Sequence, residues 1–308
     1  MKPRIMVYGS YCVGMTMSCK VFPEKGQTVL GGNFNQLHGG KGSNQAIAAS
    51  RLGGDVCFVS CVGKDSLGDA AVALFQEEGI RSRVKRSEKN PTGVGFVMVD
   101  ETGQNRIIIN FDAVMEVGPQ DIDALESEWE GCKVLLMQFE ADLNTVAWAA
   151  KRARERGVCV ILNPAPYQPF PEALLESVDI ITPNETEAKQ MLGMEAAAEV
   201  SAEELGKKLI ASTGIKEVII TLGENGALLA NKDGIQHIPA DKSFIPVDTT
   251  GAGDTFAGAL AVAIGEGLPL DKAILFANTA ASISVTKYGV VESIPSRDEV
   301  DKIANKIH

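Results

Sequence analysis

Apolar positions along the chain fall into two alternating arrangements. Runs that are apolar almost throughout, at residues 4–8, 55–62, 133–137, 158–162, 179–181 and 217–222, read as strands buried on both faces. Segments between them carry apolar residues at helical spacing: 43–52, 66–78, 143–156, 185–192 and 202–212. Glycines close several of these, with Gly53-Gly54 after the first and Gly79 after the second. The alternation predicts a parallel sheet covered by helices on both sides, with ligand at the carboxyl ends of the strands.

Two stretches break the rhythm. Residues 11–37 form short, partly polar β-like pieces around Pro23 and Gly31-Gly32, with no helical period. Residues 93–99 and 106–111 read as strands of a hairpin whose turn is rich in Asp, Gly and Asn. Both excursions are expected to lie outside the main sheet. A further hairpin at 226–238 turns on Asp233-Gly234, and helices at 255–263, 270–285 and 296–307 close the chain. No repeat or linker interrupts the pattern, so residues 1–308 are expected to form one domain.

Composition narrows the partners. The 308 residues are 45% apolar and 22% charged, and 29 basic against 40 acidic side chains give a net charge of −11. An acidic chain of this kind disfavours nucleic acid or an anionic membrane as partner. Six cysteines without C-x-x-C spacing suggest free thiols and a cytoplasmic location. His38, His237 and His308 are too scattered for a zinc site, and the apolar stretch after Met1 is too short for a secretion signal.

Two glycine clusters carry the chemistry. In Asp248-Thr249-Thr250-Gly251-Ala252-Gly253-Asp254 the glycines let the backbone turn tightly ahead of an apolar helix, aiming N–H groups and the helix dipole at one spot. Asp254 at its lip reads either as a helix cap or as a base that takes a proton from a hydroxyl. The second cluster, His38-Gly39-Gly40-Lys41-Gly42-Ser43-Asn44-Gln45, adds a cation and an amide able to bind a polyol. Neither matches a dinucleotide fingerprint or a Walker loop: Phe256 stands where the former needs glycine, and Gly42 follows Gly40-Lys41 where the latter needs Ser or Thr.

Together, G-G-K-G-S-N-Q and D-T-T-G-A-G-D-T-F-A-G-A resemble the two signatures of the ribokinase, or PfkB, family of carbohydrate kinases, and the likeness includes Asn163-Pro164-Ala165-Pro166 and Thr182-Pro183-Asn184-Glu185-Thr186-Glu187. The resemblance implies a three-layer α/β/α sandwich with a small β-sheet lid, formed by segments of about 11–37 and 93–111, that often makes a homodimer interface. It implies transfer of the γ-phosphate of ATP to a primary hydroxyl of a sugar, ribose by default. Asp254 would be the base, and Gly251, Ala252 and Gly253 the anion hole. Gly40, Lys41, Asn44 and Glu140 match sugar contacts; Glu140 also reads as a solvated strand end.

The resemblance further implies roles for the nucleotide and its ions. Asn184 and Glu187 match an N-x-x-E motif associated with Mg2+ and phosphate, and equally a capping box. Thr221, Gly223, Gly226 and Asn278 match the nucleotide loop, whose glycines also suit a hairpin turn. Asp248, Thr250, Ser284, Lys287, Gly289 and Ser293 align with loops that hold a monovalent cation, K+ by expectation. One departure concerns the substrate. Where the family reads G-S-x-N-x-D, this chain has Gly9-Ser10-Tyr11-Cys12-Val13-Gly14, so the Asn and Asp that bind sugar hydroxyls are replaced by Cys12 and Gly14. That opens the alternative of another small sugar, polyol or nucleoside as acceptor, and, from a different class, of a sugar or nucleotide sensor without turnover.

Overall fold

The computed structural model describes residues 2–307; His308 and Met1 lie outside the described residues. In chain order the strands are β1 (Arg4–Tyr8), β2 (Cys12–Cys19), β3 (Gly31–Gly39), β4 (Asp55–Gly63), β5 (Arg81–Ser87), β6 (Gly93–Val99), β7 (Asn105–Asn110), β8 (Cys132–Met137), β9 (Cys159–Leu162), β10 (Ile180–Ile181), β11 (Glu217–Thr221), β12 (Ala227–Asn231) and β13 (Gly234–Ile238). The helices are α1 (Lys41–Arg51), α2 (Ser66–Glu77), α3 (Pro119–Asp123), α4 (Glu126–Trp129), α5 (Leu143–Glu155), α6 (Glu185–Met191), α7 (Ala202–Thr213), α8 (Ala252–Gly265), α9 (Leu270–Ser284) and α10 (Arg297–Ile307).

Nine strands form the main sheet in the order β13-β12-β11-β10-β9-β8-β1-β4-β5. It is parallel except at β12 and β13, which add antiparallel at one edge. Side chains on a strand alternate between faces, and β1 shows the consequence: Ile5 and Val7 enter one core, Met6 and Tyr8 the other. Helices α1, α2, α8, α9 and α10 cover the first core, and α3 to α7 the second. The predicted three layers are therefore present.

Topology places the site. The chain leaves β1 toward β4 and β5 on one side, then returns to build β8 to β11 on the other, so the order reverses between β1 and β8. A crevice opens at the carboxyl ends of strands at such a point. Residues Gly9-Ser10 after β1 and Gln138–Glu140 after β8 stand there.

The two polar excursions form a separate four-stranded sheet in the order β3-β2-β6-β7. Strand β5 was not anticipated from the sequence. Its R-S-R-V-K-R-S run has only one apolar residue, and it is an edge strand whose arginines find a buried partner far along the chain. Arg83 donates to Glu128 at 2.6 and 2.9 Å, and Arg81 and Arg4 pair with the same carboxylate. Charged side chains on an edge strand also discourage pairing with another sheet.

Candidate active site

Both glycine clusters start helices. Gly40 is the N-cap of α1 with φ 97°, and Gly251 is the N-cap of α8 with φ 79°. A side chain at Gly40 would place Cβ 2.8 Å from the Tyr11 Cα, and at Gly251 2.5 Å from a Val290 methyl. Only glycine satisfies both the left-handed backbone and the contact. Asp254 is the third residue of α8 and caps nothing, which removes the capping alternative, and α8 begins three residues before the predicted start.

The two helices meet backbone to backbone. A Cβ at Gly258 would lie 2.7 Å from both the Gln45 carbonyl oxygen and the Ala48 methyl, so glycine there lets α8 press onto α1. That contact brings Asn44 and Gln45 to Asp254. The Asn44 Nδ2 donates to Asp254 Oδ2 at 2.9 Å and the Gln45 Nε2 to Oδ1 at 3.0 Å, with Asp254 buried. Gln45 also donates to Asn163 Oδ1 at 3.1 Å and accepts from Gln138 Nε2 at 2.5 Å. Gln138 reaches it because Gly9 has no side chain: a Cβ there would sit 2.0 Å from the Gln138 Oε1.

Glu140 is buried, against the expectation of a solvated strand end. Its Oε2 accepts from the Lys41 amide at 2.8 Å and the Ser10 hydroxyl at 2.5 Å. It thus caps α1 from a distant loop, where Gly40 has no side chain to do so. Lys41 is a cation at the positive end of a helix dipole, an unfavourable place offset by surrounding carboxylates. Asp254 first, then Glu140 and Glu187, hold its ammonium above the ordinary lysine range against the effect of burial. Burial raises Glu140 and Glu187, and hydrogen bonds and the Lys41 charge only partly offset it. The Cys12 thiol is pushed up to about 12 by burial and by the charges of Glu140 and Asp254, so it faces this pocket as a neutral group.

At α8 the amides of Gly253 and Asp254 donate to no protein group among the described residues, while Ala252 reaches the Thr249 carbonyl at 3.3 Å. Gly253 is exposed. This is an open helix N-terminus with a buried carboxylate beside it.

The remaining predicted residues fall into separate groups. Asn184 and Glu187 do form a capping box, at 2.8 and 2.9 Å, with Glu187 near enough for its charge to act on Lys41. Thr221 pairs with Asn184 in a parallel bridge. Gly223 and Gly226 lie in the turn between β11 and β12, and a Cβ at Gly226 would meet the Ile238 carbonyl at 2.3 Å. Asn278 on α9 donates to that same carbonyl at 2.9 Å, so its amide ties down the end of β13. Asp248 accepts from the amides of Thr250 at 3.0 Å and Gly289 at 3.2 Å. Despite partial desolvation, those bonds keep its carboxyl below the usual range.

The Ser284 and Ser293 hydroxyls donate hydrogen bonds to neighbouring carbonyls, and the Lys287 ammonium turns to Glu299 at 3.2 Å. Among the described residues no three His, Cys, Asp or Glu side chains cluster as a metal cage. Gln45, Gln138 and Asn163 were not given roles from the sequence. The available signal was a long amide on the buried face of a helix otherwise built of small residues, and another closing an apolar strand.

A fold with its crevice at the switch point, a buried carboxylate and an open helix N-terminus define a phosphoryl-transfer enzyme. The model of the pfkB family carbohydrate kinases matches residues 2–297, and the chain belongs to that family. A ribokinase of Haemophilus influenzae is 39% identical over 300 residues, 97% of each chain. A deoxyribokinase of Salmonella typhi is 32% identical over 304 residues, also 97% of each. Among solved structures, Arabidopsis thaliana ribokinase complexed with ribose and ATP superposes with TM-score 0.90 at 32% identity, covering 98% of this chain and 99% of that one.

Proposed function

We propose that the protein transfers the γ-phosphate of ATP to the primary hydroxyl of ribose, with Asp254 as the base. The observation that carries this is the pairing of a buried carboxylate with unpartnered amides at the same helix start. The sugar hydroxyl loses its proton to Asp254 as its oxygen attacks phosphorus, and the Gly251–Gly253 turn holds the phosphoryl oxygens. Gly40, Lys41, Asn44 and Glu140 bind the sugar. Asn184, Thr221, Gly223, Gly226 and Asn278 shape the nucleotide side.

Mg2+ would neutralise phosphate charge when bound, and Glu187, whose charge reaches Lys41 and Asp254, would hold it through water. K+ fits the Asp248 loop: its carboxylate is held below the usual range and tied to the Thr250 and Gly289 amides, and oxygens of Thr250, Ser284, Lys287, Gly289 and Ser293 would complete the site. On this reading residues 1–308 are one kinase domain and the four-stranded sheet is its lid. Phe34, Phe96 and Ile108 stand more than half exposed on that sheet, which supports a homodimer through the lid. Six unpaired cysteines support a cytoplasmic location. No helix is long and apolar enough to cross a membrane among the described residues.

A second reading, another small sugar, polyol or nucleoside as acceptor, has its own observation. Gly14 pairs with Gly95 across β2 and β6, leaving two adjacent positions bare on the face that carries Cys12. Ile109 borders that patch, 3.6 Å from a Cβ at Gly95. An acceptor with fewer hydroxyls or an apolar substituent fits there better than one needing a charged partner. A screen of sugars and nucleosides with ATP, Mg2+ and K+ separates the cases. ADP release with ribose supports the first reading, release only with another acceptor supports the second, and binding without release sinks both.

A further inference from the structure

Asp254 has two oxygens, and the protein treats them differently. Oδ1 accepts from Gln45, whose own amide is fixed at every atom: Nε2 also donates to Asn163, and Oε1 accepts from Gln138. Asn163 sets the direction at Gln45, while the Gln138 Oε1 is itself buried without a partner. Asn163 must turn its NH2 toward the Thr182 carbonyl, at 2.9 Å, so its oxygen faces Gln45 and accepts a hydrogen bond from it. Gln45 therefore cannot rotate to accept without breaking three bonds.

Oδ2 has a looser partner. Asn44 donates to it at 2.9 Å, and the Asn44 Oδ1 is buried with no hydrogen-bond partner. Rotating this amide by half a turn exchanges a donor for an acceptor at Oδ2 and leaves no other bond broken.

From this asymmetry we infer that Gln45, clamped by Gln138 and Asn163, is a positioning residue that reserves Oδ2 of Asp254 as the atom receiving the substrate proton. The inference rests on the reading of Asp254 as base. In the step, the acceptor O–H bond breaks and its proton passes to Oδ2. The acceptor oxygen forms a bond to the γ-phosphorus, and the bond from phosphorus to the ADP oxygen breaks with its electron pair leaving on ADP. Asn44 then turns its oxygen to the new carboxylic acid, while Gln45 holds Oδ1 unchanged. Besides these amides, the titratable groups facing Asp254 are Lys41, Glu140, Glu187 and Cys12.

The experiment uses Gln138→Met and Gln45→Met, each close in volume to the native residue, in the full chain with ATP and whichever acceptor it turns over. Gln138 does not touch Asp254, yet its loss removes the bond on Oε1 and leaves the Gln45 amide held by Asn163 and Asp254 alone. Expected are a kcat lower by roughly tenfold for Gln45→Met, from one lost bond to a charged group, and by only severalfold for Gln138→Met, which loses a bond between neutral amides. The acid limb of the kcat/KM profile should move about one pH unit upward in the first and less in the second, with KM for ATP unchanged. Should Gln45→Met fail to fold, the Gln138→Met limb decides alone. An acid limb that stays put in the soluble variants, while Asp254→Asn is inactive, overturns the positioning role. Full activity of Asp254→Asn instead overturns the reading of the base itself.

Discussion

The starts of α1 and α8 are built alike and used in opposite ways. Each has a glycine with positive φ as N-cap and no side-chain cap of its own. At α1 three of the first four amides are taken: Lys41 by Glu140, Ser43 by the Ser10 carbonyl and Asn44 by Gly40. The one anion there is the protein's own carboxylate. At α8 the amides of Gly253 and Asp254 stay open. The same backbone device thus gives a closed, cation-bearing wall on one side and an anion seat on the other. What separates them is whether a distant acceptor fills the helix end.

Asp254→Asn removes the charge from the open side and is expected to have the largest effect. A kcat lower by about 10²–10⁴-fold with a normal melting temperature would agree with a base in proton transfer. Activity within a few-fold of the native enzyme would break the contrast, leaving the start of α8 as an open turn with no chemistry.

Gly253→Ala tests the seat itself. A Cβ at Gly253 meets no atom within 4 Å, so the fold tolerates it, and alanine inside a helix is favoured over glycine by about 1 kcal/mol. Stability should hold or rise. The methyl group crowds the exposed amides, so kcat/KM for ATP should fall by roughly ten- to hundredfold for the loss of charge-assisted bonds. Unchanged kinetics with ATP would show that phosphate does not approach this turn.

Lys41→Met attacks the closed side. Without the cation, Glu140 and Glu187, already raised, hold protons still more tightly in the fold than in the unfolded chain. A carboxyl with a raised folded value contributes stability below its unfolded value and loses it as pH climbs through the folded one. The melting deficit of the variant should therefore grow as pH rises above the ordinary carboxylate range. A deficit independent of pH would mean that Lys41 matters only by its packing.

Much of this contrast can be read from the letters, because a glycine cluster ahead of a small-residue helix is a local feature. The apolar strands, the helices between them and both β excursions are also local patterns, and all of them formed. What sequence reasoning missed depends on distant partners. The arginines of β5 make sense only beside Glu128, and the Gln138–Gln45–Asn163 chain exists only because Gly9 and Gly258 permit close approach. Likewise Glu140 lies at a strand end, as expected, but its burial follows from the α1 amide it caps.

Gly14→Asp sharpens the comparison at its weakest wall. The strand there has ordinary extended backbone, and a Cβ at Gly14 meets only the Leu37 carbonyl oxygen, at 3.7 Å, so the side chain has room. A carboxylate at this position points to the same face as Cys12, next to the bare Gly95. If ribose lies under this face, the new acceptor gains a bond worth about 1.5–3 kcal/mol, and KM for ribose should drop by roughly tenfold or more. The Lys41 cation makes one added charge tolerable, while Cys12, pushed up to about 12, stays neutral beside it. If the gap instead houses a substituent of a different acceptor, the aspartate fills it, ribose gains nothing, and turnover of that acceptor falls. The direction of the ribose KM therefore tells whether this wall is an incomplete ribose site or a complete site for something larger.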